Sequence, residues 1–182
     1  MTDPSPRPEL TRDALAARIA EVALLRGTFT LRSGRTSNFY LDKYLFETQP
    51  DILRALAKAF AERLPPDTDR LAGPELGAVT LAAATAMQAN LPFVLVRNSK
   101  KGYGSGKLIE GVLKPGEKVV IIEDILTTGG QIVEAAKTQE AAGAQVIKMI
   151  GTNDRVEGAR DNIEAAGYRY ESLFTTKDLG IG

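Results

Sequence analysis

Val119-Val120-Ile121-Ile122-Glu123-Asp124-Ile125-Leu126-Thr127-Thr128-Gly129-Gly130-Gln131 is the stretch that decides how this chain reads. Its opening run is β-branched and continuous rather than alternating, the pattern of a strand covered on both faces. That strand delivers adjacent carboxylates, Glu123 and Asp124, to its carboxyl end, the edge at which open α/β sheets bind ligands. The small residues that follow let several backbone N–H groups converge on one phosphate. Glycines admit close approach of the main chain, and the next helix adds its positive amino end. The hydroxyls of Thr127 and Thr128 can donate as well. Beside a phosphate the acids would repel, but they can accept from sugar hydroxyls while the sugar's phosphate sits further along the turn. The stretch lacks the Gly-Lys-Ser/Thr ending of a Walker loop and is not the dinucleotide fingerprint. The competing reading is a strand that runs into a solvated acidic turn. Two acids, an apolar pair and then Thr-Thr-Gly-Gly favour the sugar-phosphate site.

Outward from this stretch the pattern alternates between strand and helix. Residues 71–73 are a short strand, 77–90 an alanine-rich helix and 93–96 a buried strand. After the turn come a helix from about Gly130 to Ala142, a strand over 146–150, a helix over 159–166 and a last strand over 168–174. Such repetition predicts an α/β fold, a parallel sheet flanked by helices, with its core over about 70–175. Residues 11–45 do not join the rhythm and read as a small N-terminal hood. There a helix starts near Thr11, carries Leu15, Ile19, Val22 and Leu25 on one face, and meets Gly27, placed to end it. Runs 28–31 and 38–41 then form a hairpin with a longer loop. A further helix follows Pro50, with Ile52, Leu53, Leu56 and Phe60 inward, and stops by Pro65-Pro66. The polar, proline-rich residues 1–10 read as a flexible tail unlike a signal peptide, which leaves 11–182 as a single domain.

Composition narrows the chemistry. Lysine plus arginine number 23 and aspartate plus glutamate 23, so any anion site must be built locally. The zero balance argues against a nucleic-acid or membrane-surface binder, which needs surplus positive charge. No apolar run approaches the roughly 20 residues that span a bilayer, and the reading is a cytoplasmic protein. Cysteine is absent, which removes disulfides and thiolate nucleophiles. Histidine is absent too, so catalysis must rest on positioning, electrostatics or the substrate's own ionisation. Between residues 97 and 107, Arg97, Lys100, Lys101 and Lys107 stand among glycines with no acid. A cationic, flexible segment suits a lid over a polyanion that is enclosed and then released; the alternative is a solvated loop with chance charge.

Residues 119–131 resemble the signature of the type I phosphoribosyltransferases, which bind 5-phosphoribosyl 1-pyrophosphate. Further segments resemble orotate phosphoribosyltransferase in particular. Phe29-Thr30-Leu31-Arg32-Ser33-Gly34-Arg35-Thr36-Ser37-Asn38-Phe39-Tyr40 is similar to that family's amino-terminal base-binding hairpin. Residues 97–111, ending Ile109-Glu110-Gly111, are similar to its mobile loop, and Asp154-Arg155 follows the strand over 146–150 as in the family. The chain departs from the family pattern where Asn98 follows Arg97, where Tyr103 replaces a histidine, and where Gly73-Pro74-Glu75-Leu76-Gly77 carries no lysine.

The resemblance implies transfer of the phosphoribosyl group to orotate, giving orotidine 5′-phosphate and pyrophosphate in pyrimidine biosynthesis. It implies Mg2+ carried mainly on the pyrophosphate, and a homodimer whose loop, residues 98–111, is shared across subunits. By it, Arg97, Lys101, Tyr103, Glu123, Asp124, Ile125, Leu126, Thr127, Thr128, Gly129, Gly130 and Gln131 meet phosphoribosyl pyrophosphate, with Lys101 and Asp124 catalytic and no protein metal site. Arg32, Tyr40, Thr127 and Arg155 meet orotate, a flat anion that asks for a stacking ring and a guanidinium. Phe39 and Tyr40 read equally as one ring pointing in and one out along a strand, and Arg155 as a surface arginine. The rivals are a transferase for another base, which would have no carboxylate to offer Arg155, and a non-catalytic regulator that binds phosphoribosyl pyrophosphate.

Overall fold

The protein is described here from a computed structural model, covering residues 9–30, 34, 36–99 and 107–181. The expectations for most of the tail, for Arg32 and for the lid residues Lys100, Lys101 and Tyr103 lie outside those residues.

Helix α1 (Arg12–Ala23) starts where Thr11 accepts the Ala14 N–H at 3.3 Å. It stops at Ala23, four residues short of Gly27, because the chain turns extended at Leu24 to pair with Leu41. Leu25 therefore leaves the helical face expected for it and stands exposed in strand β1 (Leu24–Thr30). Strand β2 (Thr36–Leu41) returns antiparallel, with an irregular register between Arg26 and Phe29 where Gly27 lies. The pair forms a sheet of its own. Helix α1, by contrast, sends Leu15, Ala16, Ile19 and Ala23 into the main core.

The next helix escapes periodicity, and the one after it obeys it. Helix α2 (Lys43–Glu47) is five residues long and is capped by Asp42, which accepts the Tyr44 N–H at 3.1 Å. Helix α3 (Pro50–Ala61) follows with proline in its first turn and buries Ile52, Leu56 and Phe60 as the spacing predicts.

The main sheet has six strands: β3 (Arg70–Pro74), β4 (Phe93–Val96), β5 (Ile109–Glu110), β6 (Lys118–Leu126), β7 (Gln145–Asp154) and β8 (Tyr170–Thr175). Their order across the sheet is β5-β4-β3-β6-β7-β8, all parallel except the short edge strand β5, which the sequence did not announce. Helices α4 (Gly77–Ala89), α5 (Gly130–Ala141) and α6 (Ala159–Ala165) link them. Strand β6 shows why its apolar run does not alternate. Val120 and Ile122 join a core with α1, α3 and α4, whereas Val119 and Ile121 join a second core with α5 and α6 on the other face.

The foot of the sheet is pinned by Arg70, whose guanidinium donates twice to Glu117 at 2.7 Å with both side chains largely buried. That paired geometry holds the Glu117 carboxyl down at about 2. At the opposite, carboxyl edge the connections diverge. Strand β3 leads outward to β4 and β6 leads the other way to β7. A crevice opens at such a switch point, between the carboxyl ends of β3 and β6.

Candidate active site

The crevice is a cleft of ≈ 240 Å³ floored by Glu123 and Asp124 and walled by residues 125–132, with Lys43 and Glu75 on the opposite side. Strand β6 runs straight through the acids to Leu126, because its pairing with β7 continues as far as Asp154. The carboxylates are thus held in a strand rather than in a solvated turn, and both are buried.

Beyond Leu126 the chain turns through Thr127 and Thr128 to Gly129, which caps α5 at φ +75°. Glycine is required there twice over. The backbone is left-handed, and a Cβ would come within 2.9 Å of Ile163 Cγ1 and 3.1 Å of the Ala159 carbonyl. Helix α6 therefore packs directly under the turn, and Asn162 fixes it by donating to the Thr128 carbonyl at 2.8 Å. The turn together with the amino end of α5 forms a braced cradle for an anion.

Asp124 faces the α2–α4 side. Lys43 Nζ donates to its Oδ2 at 2.6 Å, and the carboxylate is 4% exposed against 30% for the lysine. Burial works to lower the Lys43 pKa, but the charge and hydrogen bond of Asp124 outweigh it and hold the amine above the ordinary lysine value. Glu47, one helical turn after Lys43, is buried, with Oε1 unpaired and its carboxyl pushed up to about 8 by burial and by the charge of Asp124. Glu123 accepts the Asp124 N–H at 3.0 Å; burial first, and then the Asp124 charge, drive it well above the carboxylate range. Three carboxyls thus share the region of one ammonium, and burial with the Asp124 charge shifts Glu47 and Glu123 towards their protonated forms.

Two expected arginines sit at the rim, each on an acid. Arg97 Nη1 stands 3.7 Å from Glu75 Oε2, and its neighbour Asn98 accepts from Gln131 Nε2 at 3.0 Å, tying the chain just after β4 to the turn. Arg155 follows β7 and pairs with Glu157 at 3.1 Å. Its guanidinium lies 5.7 Å over the ring of Phe39. Strand parity separates the two candidate rings of the hairpin. Phe39 points towards Arg155, while Tyr40, on the opposite face, is exposed and stacks near Phe29 with ring centroids 5.6 Å apart. The structure thus gathers Glu123, Asp124, residues 125–131 and Arg97 around one crevice, but it does not turn Tyr40 towards Arg155.

A family model described as a phosphoribosyl transferase domain matches residues 46–166. An orotate phosphoribosyltransferase of Natronomonas pharaonis is 48% identical over 164 residues, 90% of this chain and 93% of that protein. The chain belongs to the orotate phosphoribosyltransferase family. Solved structures of that family superpose closely. The Mycobacterium tuberculosis orotate phosphoribosyltransferase in complex with Fe(III) dicitrate is 31% identical, with TM-score 0.83 over 93% of this chain and 98% of the other. The same enzyme in complex with 5-phospho-alpha-D-ribosyl 1-diphosphate is 30% identical, with TM-score 0.79 over the same shares of the two chains.

Within this site, reasoning from the sequence missed Lys43, Glu47, Gly77 and Asn162. Only Lys43 left a signal, a lysine directly after the hairpin that no apolar pattern explains. Among the described residues no helix is long and apolar enough to cross a membrane.

Proposed function

We propose that this chain joins orotate to the ribose of 5-phosphoribosyl 1-pyrophosphate, giving orotidine 5′-phosphate and pyrophosphate in pyrimidine biosynthesis. The observation that carries the reading is the switch-point cleft in which the buried pair Glu123 and Asp124 adjoins the braced turn at residues 127–131. In this reading the turn takes the 5′-phosphate through its N–H groups and threonine hydroxyls, and Glu123 and Asp124 take the ribose hydroxyls. A ring nitrogen of orotate attacks the anomeric carbon as the bond to the pyrophosphate oxygen breaks, and the electron pair leaves with pyrophosphate. The nitrogen's proton passes to solvent or to the leaving group, so no histidine is needed. Arg97 and Lys101 oppose the charge that grows on the leaving group, and Mg2+ enters with the substrate as its counter-ion. Preorganised donors of this kind are worth about 10²–10³ in rate each.

Arg155 takes the orotate carboxylate, exchanging Glu157 for it, and the Phe39 ring beneath its guanidinium offers the flat surface a pyrimidine needs. The working unit is a homodimer that closes residues 98–111 over the neighbouring site, in the cytoplasm. The test is orotate consumption, followed by its ultraviolet absorbance with phosphoribosyl pyrophosphate and magnesium. Turnover of orotate, with none of adenine or uracil, is expected; turnover of another base instead would reassign the base pocket, and none with any base would leave a binding protein.

A further inference from the structure

Among the described residues lining the cleft, Lys43 is the cation, set against Glu75, Glu123 and Asp124. A cleft that admits a sugar carrying a diphosphate must supply positive charge where the diphosphate lies. Asp124 cannot serve two masters: the oxygen that accepts from Lys43 at 2.6 Å belongs to the carboxylate assigned to the ribose hydroxyls. On ribose the anomeric carbon adjoins the carbon bearing the 2′-hydroxyl. A carboxylate holding that hydroxyl therefore has the diphosphate beside it, on the side where Lys43 and Glu75 stand rather than at the phosphate turn.

Resting on the reading above, we propose that Lys43 is a relayed counter-charge: paired with Asp124 in the free enzyme, it passes to the diphosphate oxygens when Asp124 accepts the ribose hydroxyls. The side chain can make that move. Its stem is flexible and its head is one-third exposed at the cleft, whereas the Asp124 carboxylate is fixed in β6. The other carboxyls near it are disfavoured as anions or already engaged. Burial with the Asp124 charge raises the pKa of Glu47, on its own helix, and of Glu123, on β6, while Glu75 across the cleft has Arg97 beside it at 3.7 Å. Helix α4, packed against α2, has no charged residue and offers Glu47 only the Thr80 hydroxyl. From α1 and α3, Arg18 and Asp51 satisfy each other at 3.1 Å.

The test compares two ligands that share ribose and 5′-phosphate but differ in the diphosphate. Binding of magnesium phosphoribosyl pyrophosphate and of orotidine 5′-phosphate is measured by calorimetry for wild type, Lys43→Met, Lys43→Arg and Asp124→Asn, each shown to be folded by circular dichroism. Lys43→Met should lose about tenfold or more in affinity for the diphosphate ligand, the worth of a charge-assisted contact. Its affinity for orotidine 5′-phosphate should stay at the wild-type value, and Lys43→Arg should retain both. Equal loss of both ligands in Lys43→Met would mean that the lysine only positions Asp124, and no loss of either would mean that it stays out of the reaction; each result overturns the relay. Wild-type binding of both ligands by Asp124→Asn would instead overturn the ribose assignment on which the relay rests.

Discussion

A Cβ placed on Gly77 would lie 2.1 Å from Asp124 Oδ2 and 3.0 Å from Glu47 Oε1. The first residue of α4 is therefore a glycine because two carboxyl groups close over its Cα, one from the strand that floors the cleft and one from α2. Gly77→Ala should displace Asp124 rather than unfold the chain. The overpacking costs about 1–3 kcal/mol, spread over a cleft with room to yield. Turnover should fall by more than tenfold while circular dichroism stays that of wild type. Wild-type kcat/KM in Gly77→Ala would show that Asp124 can move without consequence.

Asp124→Asn probes the carboxylate itself. The amide keeps the shape but cannot hold Lys43 by charge, and its NH2 half cannot accept from a hydroxyl. Because the side chain faces the cleft and the pairing of β6 with β7 continues past it to Leu126, secondary structure should survive, while kcat/KM for phosphoribosyl pyrophosphate should fall at least a hundredfold, about 2.7 kcal/mol or more of transition-state stabilisation. A folded Asp124→Asn protein with wild-type kinetics would remove the ribose assignment.

Arg155→Ala separates the two substrates. If the guanidinium leaves Glu157 for the orotate carboxylate, its loss should raise KM for orotate tenfold or more, from about 1.5–3 kcal/mol for a charged hydrogen-bonded contact. KM for phosphoribosyl pyrophosphate should move far less. Equal changes in both constants would make Arg155 a structural partner of Glu157 and Phe39.

Strands β4 and β6 were legible because each holds a continuous apolar run, and the turn because no common structural need calls for Thr-Thr-Gly-Gly after two acids. Helix α2 was not, since five residues are too few to show a period of 3.6. Strand β5, with two residues, was beyond reach for the same reason. The length of β6 was hidden for another. Acids are poor strand formers, and only the pairing of Leu126 with Asp154 carries the strand through them. Lys43 meets Asp124 across 81 residues of sequence, a contact fixed by the packing of α2 on α4 and by no local pattern. Which ring of the hairpin faces Arg155 depends on strand parity. The register of Leu41 with Leu24 sets it, and residue types alone do not.

Glu47 should make stability depend on pH in a direction opposite to that of a salt-bridged acid. Its folded-state pKa of about 8 lies above the ordinary 4.5. Between those values the native protein keeps the proton and the unfolded chain has lost it, so stability falls as pH rises through that window and is level outside it. Asp124, Lys43 and Asp42 are the charged groups acting on it, and Thr80 is its hydroxyl partner. Glu47→Gln removes the titration. The variant should gain on wild type, by roughly 2–4 kcal/mol between pH 5 and pH 8, in urea unfolding followed at both values. A difference that does not change with pH would mean that Glu47 is already ionised in the folded protein.

The shared-site dimer can be tested by mixing lesions. If residues 98–111 of one subunit close over the neighbour, Lys101 and Asp124 of one working site come from different chains. Lys101→Ala and Asp124→Asn homodimers should each be nearly inactive. Unfolded, mixed in equal amounts and refolded, about half of the dimers should be hybrids of a two-fold assembly. In each hybrid one site receives both damaged residues and the other receives neither. Activity should therefore recover to about a quarter of wild type per total site, the share expected for random pairing. If the loop serves its own subunit, every site keeps one lesion and mixing restores nothing. No recovery, with hybrids counted by native mass spectrometry, would end the shared-site arrangement while leaving the phosphate turn and its carboxylates untouched.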